Sequence, residues 1–313
     1  MIWQPYKQNS FIHFKADECR VVLVLGAGAS AHLGFPIGVD LCSRIISNTR
    51  NPQSEPYKAF LSMEFLDEDI TAFHESIEKS FPHSIDEFLS DRPEFIEIGR
   101  AAVAQVIIGC EDEKRLRERE RNWYGLLRDR IKAEVLKNQF SPVIVTFNYD
   151  LSLDKFLYDF LSSTFPQYAK MKTLESAIKI FHVHGRLGHL DYEDSEWCRS
   201  YGKSISPIDL RKASQGIRVV SELDNDFGRD MVLAHKAIDE AEKVIFLGFG
   251  YDDLNLKRLR VSNWKIGKFF GTAHNLHRER REQLLQMTQK RLTLAKSNLE
   301  VYDFLQTAGC WKY

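Results

Sequence analysis

The sequence has no apolar stretch long enough to span a membrane. Its longest apolar runs, at Val21–Leu25 and Ala101–Ile108, are much shorter than the roughly 20 residues that a transmembrane helix needs. The segment Met1–Lys15 also lacks the basic and apolar regions of a secretory signal. These absences predict a soluble, cytoplasmic protein that does not bind membranes.

Cysteine is scarce and scattered. The cysteines form no C-x-x-C pair and have no zinc-finger spacing, so we expect neither a structural zinc site nor another bound metal. Their odd number, together with the missing signal, fits a reducing compartment. The five residues are Cys19, Cys42, Cys110, Cys198 and Cys310.

Neither sign of charge dominates the 313 residues, because 43 Lys and Arg oppose 44 Asp and Glu. A net charge of −1 gives no broad basic surface, so we expect no direct nucleic-acid binding. The mixed charge run Glu111–Arg121 favours an exposed helix face with ion pairs four residues apart. A surface for nucleic acid or a partner protein is the less favoured alternative.

Short apolar runs, mostly β-branched or aromatic, alternate with helical patterns along the chain. Nearly continuous hydrophobicity is typical of parallel strands that are covered on both faces. We therefore predict an α/β fold with a Rossmann-like, mostly parallel sheet of about six strands, and a helix at Arg278–Lys296. The predicted strands are Val21–Leu25, Val143–Phe147, Ile178–Val183, Val244–Leu247, Lys268–Gly271 and Leu299–Phe304.

More than a hundred residues separate the first two predicted strands, which is far more than one crossover helix requires. We predict a helical insertion subdomain at 51–140 and a Rossmann-like domain formed by 1–50 and 141–313. The stretch Gly185–Gly228 has no clear period and is expected to be a loop or small module. The helices predicted in the insertion are Asp67–Lys79, Ser84–Leu89, Phe95–Cys110 and Lys114–Leu136.

The first strand leads into a glycine-rich loop, and we expect a helix directly after it. Glycines at such a turn let backbone N–H groups approach a pyrophosphate near the N-terminus of the helix. A turn that binds no ligand is the alternative. No acidic residue follows at the distance of a dinucleotide dehydrogenase, since Asp40 comes too early. The loop residues are Gly26, Ala27, Gly28, Ala29 and Ser30.

The second strand ends in Thr146-Phe147-Asn148-Tyr149-Asp150. Polar groups at the carboxyl end of a buried parallel strand lie where such sheets bind ligands. We expect a functional role for Asn148. For Asp150, a role in capping the helix predicted at Leu151–Leu161 competes with a role in the site.

The third strand ends in His182-Val183-His184-Gly185. His184 is a candidate general base because an imidazole titrates near neutral pH. We expect His182 to share its strand face but to lie deeper, as a hydrogen-bonded core histidine. A metal site with His189 and Asp191 is disfavoured because the spacing matches no known ligand set.

The fourth strand ends in a second glycine-containing loop. Gly248 and Gly250 permit backbone contact with a ligand on either side of Phe249, and a glycine turn without a ligand is an equal alternative. Asp252 or Asp253 is expected to cap a helix that begins near Leu254. Contact with a ribose hydroxyl is the alternative role for Asp253.

Together, the order and placement of these motifs resemble the sirtuin-like family. Sirtuins carry a GAG-x-S loop, a T-Q-N-x-D element, a catalytic His in an HG dipeptide and a later glycine-containing element. Here the matching residues are Gly26–Ser30, Thr146–Asp150, His184-Gly185 and Gly248–Asp253. The resemblance covers about 20–50 and 141–305 and leaves out the helical insertion.

Three departures separate the sequence from the sirtuin deacylases. Only Cys198 lies where they carry a four-cysteine zinc module, Phe147 replaces a Gln, and Phe35-Pro36-Ile37 replaces a phenylalanine–arginine segment. The pattern is more similar to the sirtuin-like NAD-consuming effectors of bacterial anti-phage defence. That resemblance implies an NAD+ hydrolase that uses NAD+ as its substrate and binds no metal.

The resemblance also implies roles for individual residues. Asn148, His184 and Asp150 would be catalytic. The alternatives are a sensor or scaffold that binds NAD+ or ADP-ribose without hydrolysis and, less favoured, a zinc-free deacylase or ADP-ribosyltransferase. The implied NAD+-binding residues are Gly26, Ala27, Gly28, Ala29, Ser30, Pro36, Thr146, Phe147, Gly248, Phe249, Gly250 and Asp253.

An ungated NAD+ hydrolase would deplete its own cell of NAD+. We therefore expect the activity to be controlled by homo-oligomerisation or by a separately encoded partner. An ATPase or an Argonaute-like subunit is the kind of partner that the resemblance implies.

Overall fold

A six-stranded sheet forms the centre of the molecule. The computed structural model describes residues 21–136, 142–171, 174, 177–219, 228–261 and 268–307, so the predictions for Met1–Lys15, Cys19 and Cys310 lie outside the described residues. The strand order is β3-β2-β1-β4-β5-β6 and every neighbouring pair is parallel, which confirms the predicted Rossmann-like α/β fold. The strands are β1 (Val21–Leu25), β2 (Val143–Thr146), β3 (Ile180–His182), β4 (Lys243–Leu247), β5 (Lys268–Gly271) and β6 (Leu292–Leu294).

Helices cover both faces of this sheet. None of those in the described ranges is long and apolar enough to cross a membrane. They are α1 (Gly38–Arg50), α2 (Glu55–Ser62), α3 (Asp67–Ser80), α4 (Ile85–Asp91), α5 (Ile96–Gly109), α6 (Glu113–Arg117), α7 (Trp123–Leu136), α8 (Ser152–Thr164), α9 (Pro207–Ser214), α10 (Arg229–Glu240), α11 (Asp253–Arg258), α12 (Arg278–Met287) and α13 (Val301–Thr307).

The central strand β1 explains why the strand pattern is apolar without alternation. All five of its side chains are buried, because successive residues point to opposite faces and both faces are covered. Leu23 belongs to the core cluster that includes the helices between β1 and β2, and Val24 belongs to the cluster that includes α10.

Helices α2 to α7 lie in the stretch that was predicted to be a helical insertion. The predicted long helix Lys114–Leu136 is wrong, because α6 and α7 are separate helices. Arg121, between them, has a positive φ of 50°, which an α-helix does not allow. The Asn122 side chain then accepts a hydrogen bond from Tyr124 N at 3.0 Å, which starts α7.

The last strand lies earlier in the chain than predicted. The run Leu299–Phe304 was expected to be a strand, but helix α13 occupies most of it and β6 lies inside the predicted helix Arg278–Lys296. The buried residues of α13 are Val301, Phe304 and Leu305, a spacing of three and four that suits one face of a helix.

Candidate active site

The two glycine loops pack directly against each other at the carboxyl ends of β1 and β4. Gly26 N donates to Leu247 O at 3.1 Å, and Gly28 N donates to Gly248 O at 2.9 Å. Gly248 has a φ of 58°, and a β-carbon there would overlap the backbone nitrogen of Ala29. The close approach of the loops therefore requires glycine even without a ligand.

Because of this packing, some backbone N–H groups of the predicted phosphate-binding loop are bonded within the protein. The N–H groups of Gly26 and Gly28 are bonded within the protein, whereas Ala27 is exposed. The helix expected directly after the loop is wrong. Two 3₁₀ turns, Ala27–Ala29 and Ala31–Leu33, follow instead, and the second ends at Gly34 with a left-handed φ of 89°. Buried Pro36 follows before α1 begins.

Three predicted residues from two strand ends meet in one buried hydrogen-bond network. Asn148 Nδ2 donates to Ser30 Oγ at 3.1 Å, and Ser30 Oγ donates to Asp150 Oδ2 at 2.8 Å. All three residues are buried. Asn148 Oδ1 is also buried and has no hydrogen-bond partner within the described part of the chain. The amide is therefore held at one end, and its acceptor oxygen is left for another molecule.

The network continues into the helical insertion. Ser152 donates to Asp150 Oδ1 through both its backbone N, at 3.0 Å, and its Oγ. Since that hydroxyl proton is used, Tyr124 OH donates to Ser152 Oγ, at 2.7 Å. Burial raises the pKa of Asp150, although its hydrogen bonds oppose this. Asp150 thus binds Ser152, the first residue of α8, and also holds Ser30, whereas the N-cap residue of α8 is Leu151 and not Asp150 as predicted.

His184 lies at the end of the next strand in an unusual environment. Pairing of Thr146 with His182 places Asn148 and His184 at the same step beyond β2 and β3. His184 is 2% exposed, and its Nε2 accepts a hydrogen bond from Arg258 Nη1 at 2.7 Å. Burial and the guanidinium lower the pKa of His184 from 6.5 to about 3. The imidazole is therefore neutral, and its lone pair is already in use.

Residues that the sequence analysis did not identify surround His184. Arg258 comes from the last turn of α11, and Tyr149 donates to Asp86 Oδ1 of α4 at 2.5 Å. Burial raises the pKa of Asp86, and the positive charge of Arg258 acts against that rise. The insertion therefore supplies Tyr124 and Asp86 to this end of the sheet. No sequence motif signalled either residue.

In the loop after β4, some residues are bonded or packed within the protein and others are exposed. Gly248 N donates to Thr272 Oγ1 at 2.8 Å, and the ring of Phe249 lies 5.1 Å from that of Phe147. Asp252 is the cap of α11, since its Oδ1 accepts from the backbone N of Asn255 at 2.8 Å. The side chain of Asp253 is 77% exposed and pairs with Arg280 at 2.6 Å.

Several of the predicted residues contact one another, in two sets. Ser30, Asn148 and Asp150 are in direct contact through hydrogen bonds. Phe147 and His184 pack edge to face, with ring centres 5.0 Å apart, and Phe249 lies on the other side of Phe147. Thr146 Oγ1 accepts from Asn148 N, and Gly250 has open space at its α-carbon. Pro36 and Asp253 take no part in these contacts.

His182 is a buried, hydrogen-bonded histidine as predicted, but it does not lie deeper than His184, since it is 8% exposed and His184 is 2% exposed. His182 bonds to Asp154 of α8 through Nε2, at 3.1 Å, whereas His184 bonds to Arg258 of α11. The two rings have no hydrogen-bond partner in common. Across the described ranges, no group of three or more His, Cys, Asp and Glu side chains is arranged to hold a metal ion.

Comparison with known proteins gives a similarity in structure but no match in sequence. No family model matches the sequence, and no curated protein matches it. Among solved structures, the chain is similar to the structure of Sir2Tm bound to a propionylated peptide, with 13% sequence identity and a TM-score of 0.40. The match covers 94% of this chain and 93% of that one. At this identity, no residue role carries over from that protein.

Proposed function

We propose that the protein hydrolyses the bond between nicotinamide and ribose in NAD+. The observation that supports this proposal best is the buried Oδ1 of Asn148, which has no partner among the described residues. A buried acceptor without a donor costs about 1–3 kcal/mol, so a site that keeps one is suited to a ligand or water that supplies the donor. A ribose hydroxyl or the attacking water has that chemistry.

The proposed reaction needs positioning more than a covalent catalyst. Water attacks C1′ of the ribose, the bond from C1′ to the nicotinamide nitrogen breaks, and neutral nicotinamide leaves. The proton released by the water passes to His184, and ADP-ribose is the second product. Ser30 and Asp150 hold Asn148 so that its Oδ1 orients the water or the ribose hydroxyl. The loop 26–30 binds the pyrophosphate through its exposed part at Ala27.

His184 accepts this proton only after Arg258 leaves Nε2. A guanidinium forms stronger, bidentate hydrogen bonds with phosphate than with a neutral imidazole. In the proposed mechanism, the diphosphate of NAD+ draws Arg258 away, which both frees the lone pair of His184 and raises its pKa. The free protein therefore holds its base in an unreactive form.

A second candidate function is supported by the same contact. A protein that binds NAD+ or ADP-ribose without hydrolysis has no need of a free base, and His184 with a pKa of about 3 suits that role. In this alternative, ligand binding moves Arg258, and this conformational change is the signal that the protein transmits.

The biological setting is proposed from the sequence resemblance alone. We propose a cytoplasmic anti-phage effector whose activity is controlled by homo-oligomerisation or by a separately encoded ATPase or Argonaute-like partner. Such control is needed because uncontrolled hydrolysis would exhaust the NAD+ of the cell.

The test is to incubate the full chain with NAD+ and to measure nicotinamide and ADP-ribose, with NAD+ binding measured in parallel. We expect equimolar release by the wild type, and loss of release by at least about a hundredfold in Asn148→Ala and His184→Gln. Arg278→Gln, which changes a side chain 91% exposed on α12, is the control and should match the wild type.

Three other results would contradict the proposal. Full turnover in a folded Asn148→Ala/His184→Gln variant would exclude these residues as the catalytic pair. Binding of NAD+ without nicotinamide release would favour the sensor. Release that depends on an acylated peptide would favour the deacylase.

A further inference from the structure

A separate cavity lies beside β3, which is the edge strand of the sheet. Its volume is about 780 Å³, within the range of small-molecule sites. The walls come from the segment after β3, the end of α9 and the start of α10. Ser30, Asn148 and His184 do not line it, so this cavity is distinct from the candidate active site.

A buried carboxylate–histidine pair forms one wall of the cavity. Burial raises the pKa of Asp154, but His182 and Arg186 lower it by more, so the carboxyl is ionised. His182 Nε2 therefore carries the proton and donates to Asp154 Oδ1 at 3.1 Å. In the neutral imidazole, the other ring nitrogen, Nδ1, is then an acceptor. It is buried, and it has no partner among the described residues.

No group in the described part of the chain donates a hydrogen bond to this nitrogen. His182 is only 8% exposed, so bulk water does not solvate Nδ1 freely. An ionised carboxylate behind an imidazole also makes the far nitrogen a better acceptor, which is the arrangement that enzymes use to bind or activate a hydroxyl. The wall therefore suits a ligand that presents an O–H or N–H group.

Two of the carboxylates that line the cavity, Asp230 and Glu193, are already bonded, whereas Asp194 and Glu196 also line it. Asp230 Oδ2 accepts the backbone N–H of His182 at 3.0 Å. Glu193 pairs with Arg186, with its Oε1 2.9 Å from Nη1 and its Oε2 3.1 Å from Nη2. The ion pair with Arg186 reduces the repulsion of an anion by Glu193.

Two arginines that line the cavity lie near the start of α10, and Asp230 lies in the first turn of that helix. The helix begins at Arg229 after Gly228, and no side chain caps its N-terminus. The guanidinium of Arg218 lies so close to Gly228 that a β-carbon there would overlap Nη1. Two arginines beside the positive end of a helix dipole favour a bound anion.

We propose that this cavity is a second ligand site, for a small molecule that carries a phosphate beside a sugar hydroxyl. The phosphate lies at the start of α10 with Arg218 and Arg229, and the hydroxyl donates to His182 Nδ1. Phosphorylated ribose is the chemical class that combines these groups. The proposal does not depend on NAD+ hydrolysis, because it uses other residues.

The test is calorimetric titration of the full chain with ribose 5-phosphate, with ribose and inorganic phosphate as partial ligands. We expect saturable binding of ribose 5-phosphate, and weaker binding of each partial ligand. His182→Gln keeps a donor for Asp154 but loses the ring acceptor, and Arg218→Gln/Arg229→Gln removes the positive charges. Each variant should weaken binding by about tenfold or more.

Controls separate this site from the candidate active site. Arg278→Gln, Asn148→Ala and His184→Gln should bind ribose 5-phosphate as the wild type does, and circular dichroism will show that His182→Gln is folded. The proposal is overturned if no saturable binding occurs, because the cavity then holds solvent only. It is also overturned if the Arg218→Gln/Arg229→Gln variant binds normally, or if Asn148→Ala removes binding.

Discussion

At the scale of single residues, the pKa of His184 differs between the unfolded chain and the folded protein. In the unfolded chain it is an ordinary histidine that gains a proton near pH 6.5. In the fold it is buried against the guanidinium of Arg258, so a second positive charge is strongly disfavoured. Protonation of His184 and folding therefore oppose each other.

This opposition predicts a pH dependence of stability. The folded-state pKa of His184 is about 3, below the unfolded value of 6.5, so the unfolded chain binds the extra proton between these values. The free energy of unfolding should therefore fall as the pH falls, by up to about 1.4 kcal/mol per pH unit from this residue. His184→Gln should lose that part of the slope between about pH 6 and pH 4.

Urea unfolding at several pH values measures this slope. The Gln side chain still offers an oxygen to Arg258, so the comparison isolates the titration of the ring. Equal slopes in the wild type and His184→Gln would contradict the buried, neutral state of His184.

At the scale of elements, a buried ion pair fixes the irregular segment that follows β3. Arg199 binds Glu111 through two hydrogen bonds of 2.7 and 2.6 Å, and both side chains are almost fully buried. Glu111 Oε2 also accepts from Gly202 N at 3.0 Å, and Arg199 Nε donates to Leu187 O at 2.8 Å. The segment is therefore held against the end of α5 although it has little regular structure.

Breaking this pair should be costly because it leaves one charge buried alone. Glu111→Gln is expected to lower the free energy of unfolding by about 3–5 kcal/mol. The matched control is Glu282→Gln, which breaks an exposed pair with Arg278 and should cost no more than about 1 kcal/mol. Urea unfolding measures both, and a similar cost for the two variants would contradict the buried role of Glu111.

At the scale of the whole molecule, one hydrophobic core connects the helical insertion to the sheet. Phe73 of α3 and Leu127 of α7 belong to the same buried cluster as Leu23 of β1. Trp123 Nε1 also donates to Ala29 O at 2.7 Å, inside the glycine loop. The division into 51–140 and the remaining chain stays a prediction, and this shared core suggests that the two parts unfold together.

We therefore expect a single cooperative unfolding transition. Far-ultraviolet circular dichroism, which reports the helices, and tryptophan fluorescence should give the same midpoint in urea. In Glu111→Gln, both midpoints should move to lower urea concentration by the same amount. Two separated transitions would mean that the insertion unfolds as an independent domain.

Much of the fold and part of the site followed from the sequence. β1 was predicted to the residue, because a strand covered on both faces has to be apolar throughout. Asn148 was identified for a related reason, since a polar residue directly after such a strand lies at the ligand-binding edge of the sheet. β6 was misplaced because the short run that includes Val301 fits a strand or a helix equally well until its packing is known.

Tertiary structure alone decided how the candidate site is completed. Arg258 reaches His184 across 74 residues of sequence, and Tyr124 reaches Ser152 across 28. Apolar periodicity tells which face of a helix is buried, but not which polar side chain that burial brings against a strand end. The sequence by itself therefore determined five of the six strands and their polar ends. The packing of the helices determined the charge and hydrogen bonding of His184.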